Sequence, residues 1–279
     1  MQLSFTFVAP DTEKELKAQL SEAGSFLMTG GTDLLVKVRI GKIKPQKIVS
    51  TLKVPTLHFL ENKVDELVVG ATISYSELLD FKPLKKDLPI LYDAIFTVGS
   101  PQIRNRGTLT GNVVNASPAG DGLLVLYLLN ATVEISDGSV IPIEKFVIGP
   151  GKTILPEREY VRAIHIPKYN WNVHYFEKVG QRNSMTISVA SVGWLIRCRN
   201  GAIEKFRIAY GSVAPTVLRL KEIERFAEGK TIDENFVHTV SEMVKKSVKP
   251  IDDVRGSAKY RKTLCANLVY RMIERRTKC

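Results

Sequence analysis

The stretch "FLMTGGTDLLVKVR", Phe26 to Arg39, separates two apolar runs by two glycines, a hydroxyl and a carboxylate. One interpretation of residues 30–33 is a plain turn, because glycine tolerates positive φ and aspartate can hydrogen-bond its own backbone. The other interpretation is a concave run of backbone N–H groups that binds an anion. The stretch by itself is compatible with both.

The bulk composition is that of a globular protein. The chain has 279 residues, of which 44% are hydrophobic and 25% are charged. This length allows one large domain or two ordinary ones. No apolar run reaches the roughly 18 residues that a membrane span needs. The first ten residues lack the basic flank and apolar core of a signal peptide, so we expect a cytoplasmic protein.

Cysteine and histidine are too sparse and scattered to predict a metal centre. The three cysteines, Cys198, Cys265 and Cys279, contain no C-x-x-C pair, and the four histidines show no i, i+4 spacing. Structural zinc sites and iron–sulfur clusters need closely spaced thiolate or imidazole ligands. We therefore expect no metal and no cluster on this chain.

The formal net charge of +11 raises the question of an acidic partner. Nucleic acid is one candidate, and an acidic protein is another. Lysine and arginine are nevertheless spread along the whole chain with acids between them. The densest basic stretch, "YRMIERRTK" from Tyr270, ends a predicted helix, where cations interact favourably with the helix dipole.

Periodicity predicts short helices and strands in the first part of the chain. Thr12 and Glu15 form a capping-box pair for a helix within residues 10–24. Asp137-Gly138 suits a type I′ turn in a hairpin over 132–143. The other elements are strands at 25–28, 46–52 and 159–167, a hairpin at 57–71, and helices at 74–81, 83–98 and 123–131.

The pattern changes near residue 169. Alternating strands are predicted over 173–180, 188–199 and 202–213, the last two joined by the strong hairpin signal Asn200-Gly201. Helices follow over 217–229, 233–248 and 258–276. Strands grouped before helices predict an α+β domain, with an antiparallel sheet backed by helices.

A second polar segment, "GSPQIRNRGTLTGNVVNASPAGD", runs from Gly99 to Asp121 and contains four glycines. Long segments without secondary structure are uncommon in compact domains and are usually functional. A surface loop fits the composition equally well, but two such segments together favour a phosphorylated cofactor. The common nucleotide motifs fail, since "GPGKT" has Phe146 where a P-loop needs glycine and "GTLTGN" is not G-x-G-x-x-G.

These motifs resemble the FAD-binding medium subunits of molybdenum hydroxylases, a family that includes xanthine, carbon monoxide and nicotinate dehydrogenases. "TGGTDLL" at 29–35 is similar to the first flavin-binding loop, A-G-G-T-D-L. The segment 99–121 is similar to the second loop, I-R-N-x-x-T-I-G-G-N followed by S-P and an aspartate. The likeness continues in the same order through "IHIP", "FEKVGQRNSMTISVASV", "AYGSVAPTVLRLKEIE" and "VRGSAKYRKTL".

The resemblance implies an α+β chain with a two-subdomain FAD-binding fold of the vanillyl-alcohol-oxidase/PCMH type. It places this FAD-binding domain at residues 1–168, with subdomains at about 1–53 and 54–168. A C-terminal α+β domain with a three-stranded antiparallel sheet and helices follows at 169–279.

The resemblance also implies the cofactor site. The first loop would lie against the FAD pyrophosphate, Asp121 would lie near the ribityl or adenosine hydroxyls, and the Lys178 cation would stabilise reduced flavin. No catalytic side chain and no metal ligand is assigned to this chain. The implied FAD-binding residues are Leu27, Met28, Thr29, Gly30, Gly31, Thr32, Asp33, Leu34, Thr108, Gly111, Asn112, Asp121 and Lys178.

One departure from the family pattern affects the second loop, where Thr110 replaces the first glycine of T-I-G-G-N. If that position has positive φ, threonine would be strained by about 1–3 kcal/mol. We predict that FAD binding survives the change.

In function, the resemblance implies an electron-transfer subunit. It would accept single electrons from [2Fe–2S] clusters of a small partner subunit and pass them through FAD to NAD⁺, oxygen or another acceptor. Molybdopterin would belong to a large partner subunit. The rival interpretations are a stand-alone flavoenzyme similar to enolpyruvyl reductase, and a basic nucleic-acid-binding protein.

Overall fold

Short strands and helices make up the chain in the computed structural model, which describes residues 5–182 and 186–275. The strands of these residues are β1 (Thr6–Val8), β2 (Ser25–Met28), β3 (Lys47–Ser50), β4 (Leu60–Asn62), β5 (Glu66–Gly70), β6 (Thr132–Ile135), β7 (Val140–Pro142), β8 (Val147–Gly149), β9 (Lys152–Thr153), β10 (Val161–Pro167), β11 (Val173–Val179), β12 (Ala190–Arg199), β13 (Ala202–Gly211) and β14 (Leu218–Arg219). The helices are α1 (Glu13–Leu20), α2 (Leu34–Arg39), α3 (Tyr75–Asp80), α4 (Lys82–Asp87), α5 (Pro89–Phe96), α6 (Pro101–Arg104), α7 (Leu109–Asn115), α8 (Asp121–Leu128), α9 (Ile143–Phe146), α10 (Lys221–Ala227), α11 (Glu234–Ser247), α12 (Ala258–Leu268) and α13 (Arg271–Arg275), with a 3₁₀ turn at Pro55–Leu57.

The chain forms two compact units, each made of separate segments. The first takes the described parts of 1–83, 99–116 and 130–167, and the second takes the described parts of 84–98, 117–129 and 168–279. The division into functional domains at residues 168 and 169 stays a prediction. The predicted helix at 258–276 ends outside the described residues, as does part of the motif at 176–192.

The first unit contains two larger sheets. Strands β1, β3 and β2 form a parallel sheet in the order β1-β3-β2, and α1 packs against it through Leu16 and Leu20. The second sheet has the order β4-β5-β10-β6-β7, and its neighbouring strands are antiparallel. The Thr12 side chain caps α1 by accepting a hydrogen bond from the Glu15 N–H at 3.2 Å, which confirms Thr12 as the cap. The predicted capping box is incomplete, because the Glu15 carboxylate accepts from the Asp11 N–H at 3.4 Å and not from the Thr12 N–H.

The second polar segment is helical over much of its length, so the expectation of a stretch without secondary structure is wrong. The Ser100 hydroxyl accepts from the Ile103 N–H at the start of α6, and the Thr108 hydroxyl accepts from the Gly111 N–H at the start of α7. Serine and threonine favour both helix N-caps and turns, so composition alone could not distinguish a helical segment from a loop. The segment therefore presents two helix starts instead of one long loop.

The second unit is built on the antiparallel sheet β11-β12-β13-β14. Its core includes Trp194 and Phe206 from the sheet together with Val240 from α11 and Cys265 from α12. The prediction of three strands is wrong by one, because Leu218 and Arg219 pair with β13 and α10 begins only at Lys221. Two residues are too few to produce a strand signal beside a longer helical pattern.

Helix α8 is buried along its whole length in the second unit. An ideal Cβ at Gly193 of β12 would lie 2.6 Å from Leu128 Cδ1, so glycine lets the sheet approach the helix closely. Asp121, the first residue of α8, is 4% exposed.

The two predicted hairpin turns differ in outcome. Asn200 and Gly201 have φ of 53° and 77°, and Arg199 pairs with Ala202, which confirms a two-residue hairpin. In the hairpin of β6 and β7, Gly138 has φ of 90° but Asp137 is not at positive φ. The predicted type I′ turn is therefore wrong, and the loop is longer by one residue, closed by a hydrogen bond from the Gly138 N–H to the Ile135 carbonyl.

Thr110 occupies an ordinary right-handed position in α7, so the backbone strain considered for it does not arise. Its hydroxyl donates to the Ala71 carbonyl at 2.7 Å and lies 3.2 Å from the Thr108 hydroxyl. Thr110 is 4% exposed. The side chain thus ties α7 to the residue that follows β5.

We expect Thr110→Val to destabilise the chain, because it removes this hydroxyl at nearly constant volume and leaves the buried Ala71 carbonyl without its donor. The cost of an unpaired buried group predicts a loss of about 1–3 kcal/mol in the free energy of unfolding. Urea unfolding measures it. Thr231→Val at an exposed threonine is the control, and equal losses for the two variants would contradict the assigned contact.

Candidate functional site

The first glycine-rich loop lies in the first unit between the end of β2 and the start of α2. Gly31 has φ of +76°, a conformation that favours glycine. Among residues 5–182 and 186–275, the backbone N–H groups of 30–34 donate to no acceptor. Each of these residues is half-buried or exposed, so the loop is in contact with solvent.

The second segment packs directly against this loop. An ideal Cβ on Gly30 would lie 1.9 Å from the carbonyl oxygen of Arg106 and 2.7 Å from its carbonyl carbon. Real Cβ atoms cannot approach a backbone that closely, so position 30 admits only glycine in this arrangement. The Gly107 carbonyl in turn accepts from the Tyr75 N–H at 2.8 Å, which holds the segment against the start of α3.

A polar side-chain bridge joins the same two segments. The Asn115 amide donates to the Asp33 carboxylate at 3.3 Å and accepts from the Lys37 ammonium at 2.6 Å. Sequence reasoning selected Asp33 but missed Asn115 and Lys37. The only sequence feature that pointed to Asn115 was its position in the second polar segment. The resemblance to the family assigned Asn112 of that segment to FAD binding, and not Asn115.

The remaining first-unit residues lie at the edges of this arrangement. Leu27 and Met28 end β2, and Leu27 packs toward the α1 core, so it offers the site only its backbone. The Thr29 hydroxyl accepts from the Thr51 hydroxyl at 3.1 Å. Thr108 caps α7 and is buried, whereas Gly111 is exposed at the first turn of that helix. The first unit thus brings residues 27–34 together with the second segment.

The second unit brings the other two predicted residues, Asp121 and Lys178, into direct contact. The Lys178 ammonium donates to Asp121 Oδ2 at 2.6 Å and lies 3.4 Å from the Thr97 carbonyl oxygen. The exposed fractions of the two side chains are 10% for Lys178 and 4% for Asp121. Sequence reasoning expected both near a flavin and did not anticipate that they pair.

Ser188 completes this cluster and was not selected from the sequence. Its hydroxyl donates to Asp121 Oδ1 at 3.0 Å, and the residue is fully buried. Burial raises the pKa of the Asp121 carboxyl above its ordinary value, although the Lys178 charge and the hydrogen bonds from Lys178 and Ser188 act in the opposite direction. The Asp121 carboxylate is therefore buried, and its charged form is stabilised by the two donors Lys178 and Ser188.

The geometry offers anion binding in the first unit and a buried charge pair in the second. Among the described residues, no group of three histidine, cysteine, aspartate or glutamate side chains is placed to hold a metal ion. Over 5–182 and 186–275, no helix is both long enough and apolar enough to cross a membrane.

Two family models together match almost the whole chain. The FAD-binding domain of molybdopterin dehydrogenases matches residues 3–169, and the C-terminal domain of the carbon monoxide dehydrogenase flavoprotein matches residues 174–276. The first match alone covers more than half of the chain.

The similar proteins are named as dehydrogenases or as subunits of dehydrogenases. The glyceraldehyde dehydrogenase medium chain of Sulfolobus acidocaldarius is 28% identical over 92% of this chain and 93% of the relative. A putative xanthine dehydrogenase FAD-binding subunit of Escherichia coli is 28% identical over 88% of this chain and 87% of the relative. In a solved structure of carbon monoxide dehydrogenase from Hydrogenophaga pseudoflava, one chain superposes with a TM-score of 0.91 at 25% identity, covering 97% of this chain and 96% of that one.

These matches confirm the predicted fold class, an FAD-binding fold followed by a C-terminal α+β domain, and they confirm FAD as the cofactor. The chain belongs to the family of FAD-binding medium subunits of molybdenum hydroxylases, and it is an oxidoreductase flavoprotein subunit.

Proposed function

We propose that the first unit binds the diphosphate of FAD on the backbone N–H groups of residues 30–34, beside the second glycine-rich segment. The observation that carries this proposal is the run of N–H groups without an acceptor in the described chain, next to a backbone contact that excludes any Cβ at Gly30. Consecutive N–H groups in such a concavity bind phosphate oxygens in other proteins. The residues present therefore fit the cofactor.

The residues proposed to hold FAD lie in both units. The backbone of 27–34 would contact the diphosphate, and Asn115 donates a hydrogen bond to the side chain of Asp33 within that loop. Thr108, Gly111 and Asn112 would contact the cofactor from the start of α7. Asp121 and Lys178 would act together, because the carboxylate limits the positive charge that the ammonium presents.

Bound FAD supplies the exchange between one-electron and two-electron carriers. The protein contributes binding and electrostatics. The Lys178 ammonium would stabilise negative charge on the reduced cofactor, and burial strengthens that interaction because the local dielectric is low.

We further propose that the chain passes electrons within a complex of three kinds of subunit. Single electrons would come from [2Fe–2S] clusters of a small subunit, after oxidation of substrate at molybdopterin in a large subunit. NAD⁺, oxygen or another acceptor would take them. The names "medium chain" and "FAD-binding subunit" among the relatives support a multi-subunit enzyme. A cytoplasmic location is part of the same proposal.

Purification of the chain with its native partners tests the electron-transfer proposal. We expect flavin, iron and molybdenum to co-elute in one complex, because the partner subunits would carry the iron–sulfur clusters and the molybdopterin. After the substrate of the complex is added, the iron–sulfur clusters should be reduced first and the flavin after them. A chain that carries flavin and turns over a substrate without iron or molybdenum would instead be a stand-alone flavoenzyme.

Replacing Gly30 tests the FAD cradle. The wild-type chain should take up FAD saturably, with quenching of flavin fluorescence. Gly30→Ala puts a Cβ into the Arg106 carbonyl and must separate the two segments. We expect FAD affinity to fall at least about tenfold, which corresponds to about 1.4 kcal/mol.

Gly149→Ala is the matched control, because an ideal Cβ there meets only the Lys152 side chain at 3.9 Å and the residue is not at positive φ. Circular dichroism and urea unfolding establish that both variants fold. Unchanged FAD affinity in folded Gly30→Ala, or no saturable uptake by the wild-type chain, would contradict the proposed cradle.

A further inference from the structure

A buried hydroxyl completes the charge pair of the second unit, and the proposed function gives it no role. Ser188 is fully buried, and its hydroxyl lies 3.0 Å from Asp121 Oδ1, whereas Lys178 bonds the other carboxylate oxygen, Oδ2. The carboxylate is therefore held from two sides by donors on different segments. Without the Ser188 hydroxyl, only the hydrogen bond from Lys178 would oppose rotation of the carboxylate about its Cβ–Cγ bond.

This arrangement matters because, among the described residues, Asp121 is the only acidic residue that forms an ion pair with Lys178. The distance between the ammonium and the carboxylate sets how much of the positive charge reaches a neighbouring group. A carboxylate that turns or moves away from Lys178 leaves the ammonium less compensated. A hydroxyl that fixes the carboxylate therefore controls the field of the ammonium without touching it.

A second buried serine, Ser191, lies near the charge pair but does not bond to it. Ser191 lies opposite Lys178 in the pairing of β11 with β12, and it is fully buried. Its hydroxyl has no hydrogen-bond partner among residues 5–182 and 186–275. Of these two buried serines, Ser188 alone is bonded to Asp121.

We propose that Ser188 is a positioning residue of the flavin site: its hydroxyl fixes the Asp121 carboxylate, and Asp121 fixes the Lys178 ammonium that acts on bound FAD. The proposal rests on the proposed function, which places Asp121 and Lys178 at the cofactor. It assigns to Ser188 a share in setting the reduction potential of FAD, through two intervening side chains.

A double-mutant cycle tests this role in the full chain loaded with FAD. The variants are Ser188→Ala, Asp121→Asn and the two combined, and the readouts are the FAD dissociation constant and the midpoint potential of bound FAD at fixed pH. Ser188→Ala should shift the equilibrium toward reduced FAD by about tenfold, which is about 30 mV for a two-electron couple. Asp121→Asn should shift it further in the same direction.

The cycle separates positioning from a direct effect. In the Asp121→Asn background, Ser188→Ala should produce no further shift, because the carboxylate through which it acts is gone. Lys178→Met is a second background with the same expectation and serves if Asp121→Asn does not fold. Ser191→Ala is the matched control, and its potential should equal that of the wild-type chain.

Three results would overturn the proposal. A Ser188→Ala chain with wild-type potential and normal FAD uptake would overturn the role of Ser188 and leave the proposed function intact. A shift of equal size in the Asp121→Asn or Lys178→Met background would show that Ser188 does not act through the charge pair. A wild-type chain that takes up no FAD would overturn the proposed function and this inference together.

Discussion

The backbone contact between Gly30 and Arg106 is the constraint on which the candidate site of the first unit depends. It brings the loop after β2 against the segment that carries α6 and α7, at a distance that any side chain at position 30 would prevent. The loop is thereby held in a conformation in which its N–H groups at 30–34 find no acceptor in the described chain. Unpaired N–H groups cost free energy when they lose water, so a loop of this kind is expected where a ligand supplies the acceptors.

The buried pair of Asp121 and Lys178 follows the same logic in the second unit. Removing both charges from water costs several kcal/mol per ion, and replacing such pairs by apolar residues is often neutral or stabilising. Stability alone is therefore a weak reason for the pair. A role in placing a defined positive charge at a cofactor, with Ser188 as the second donor to the carboxylate, accounts better for its burial.

The sequence allowed prediction of those features that depend on neighbouring residues. Examples are the strand at 25–28, the cap at Thr12 and the hairpin turn at Asn200-Gly201, because each has its own local pattern. The two glycine-rich loops and FAD followed from motifs with a fixed order along the chain. The family match then confirmed the cofactor.

Features set by distant contacts could not be predicted in this way. Strand β14 is defined by its pairing with β13. The roles of Asn115 and Ser188 arise from partners 82 and 67 residues away in sequence. Helices α6 and α7 were mistaken for loop because their capping residues also favour turns. Thr110 likewise has a role only because α7 lies beside Ala71.

The most direct test of the proposed FAD site is a crystal structure of the full chain grown with FAD. We expect the two phosphorus atoms to lie beside the loop after β2, with phosphate oxygens within hydrogen-bond distance of N–H groups in residues 30–34. A cofactor whose diphosphate lies elsewhere, with those N–H groups still bonded only to water, would contradict it.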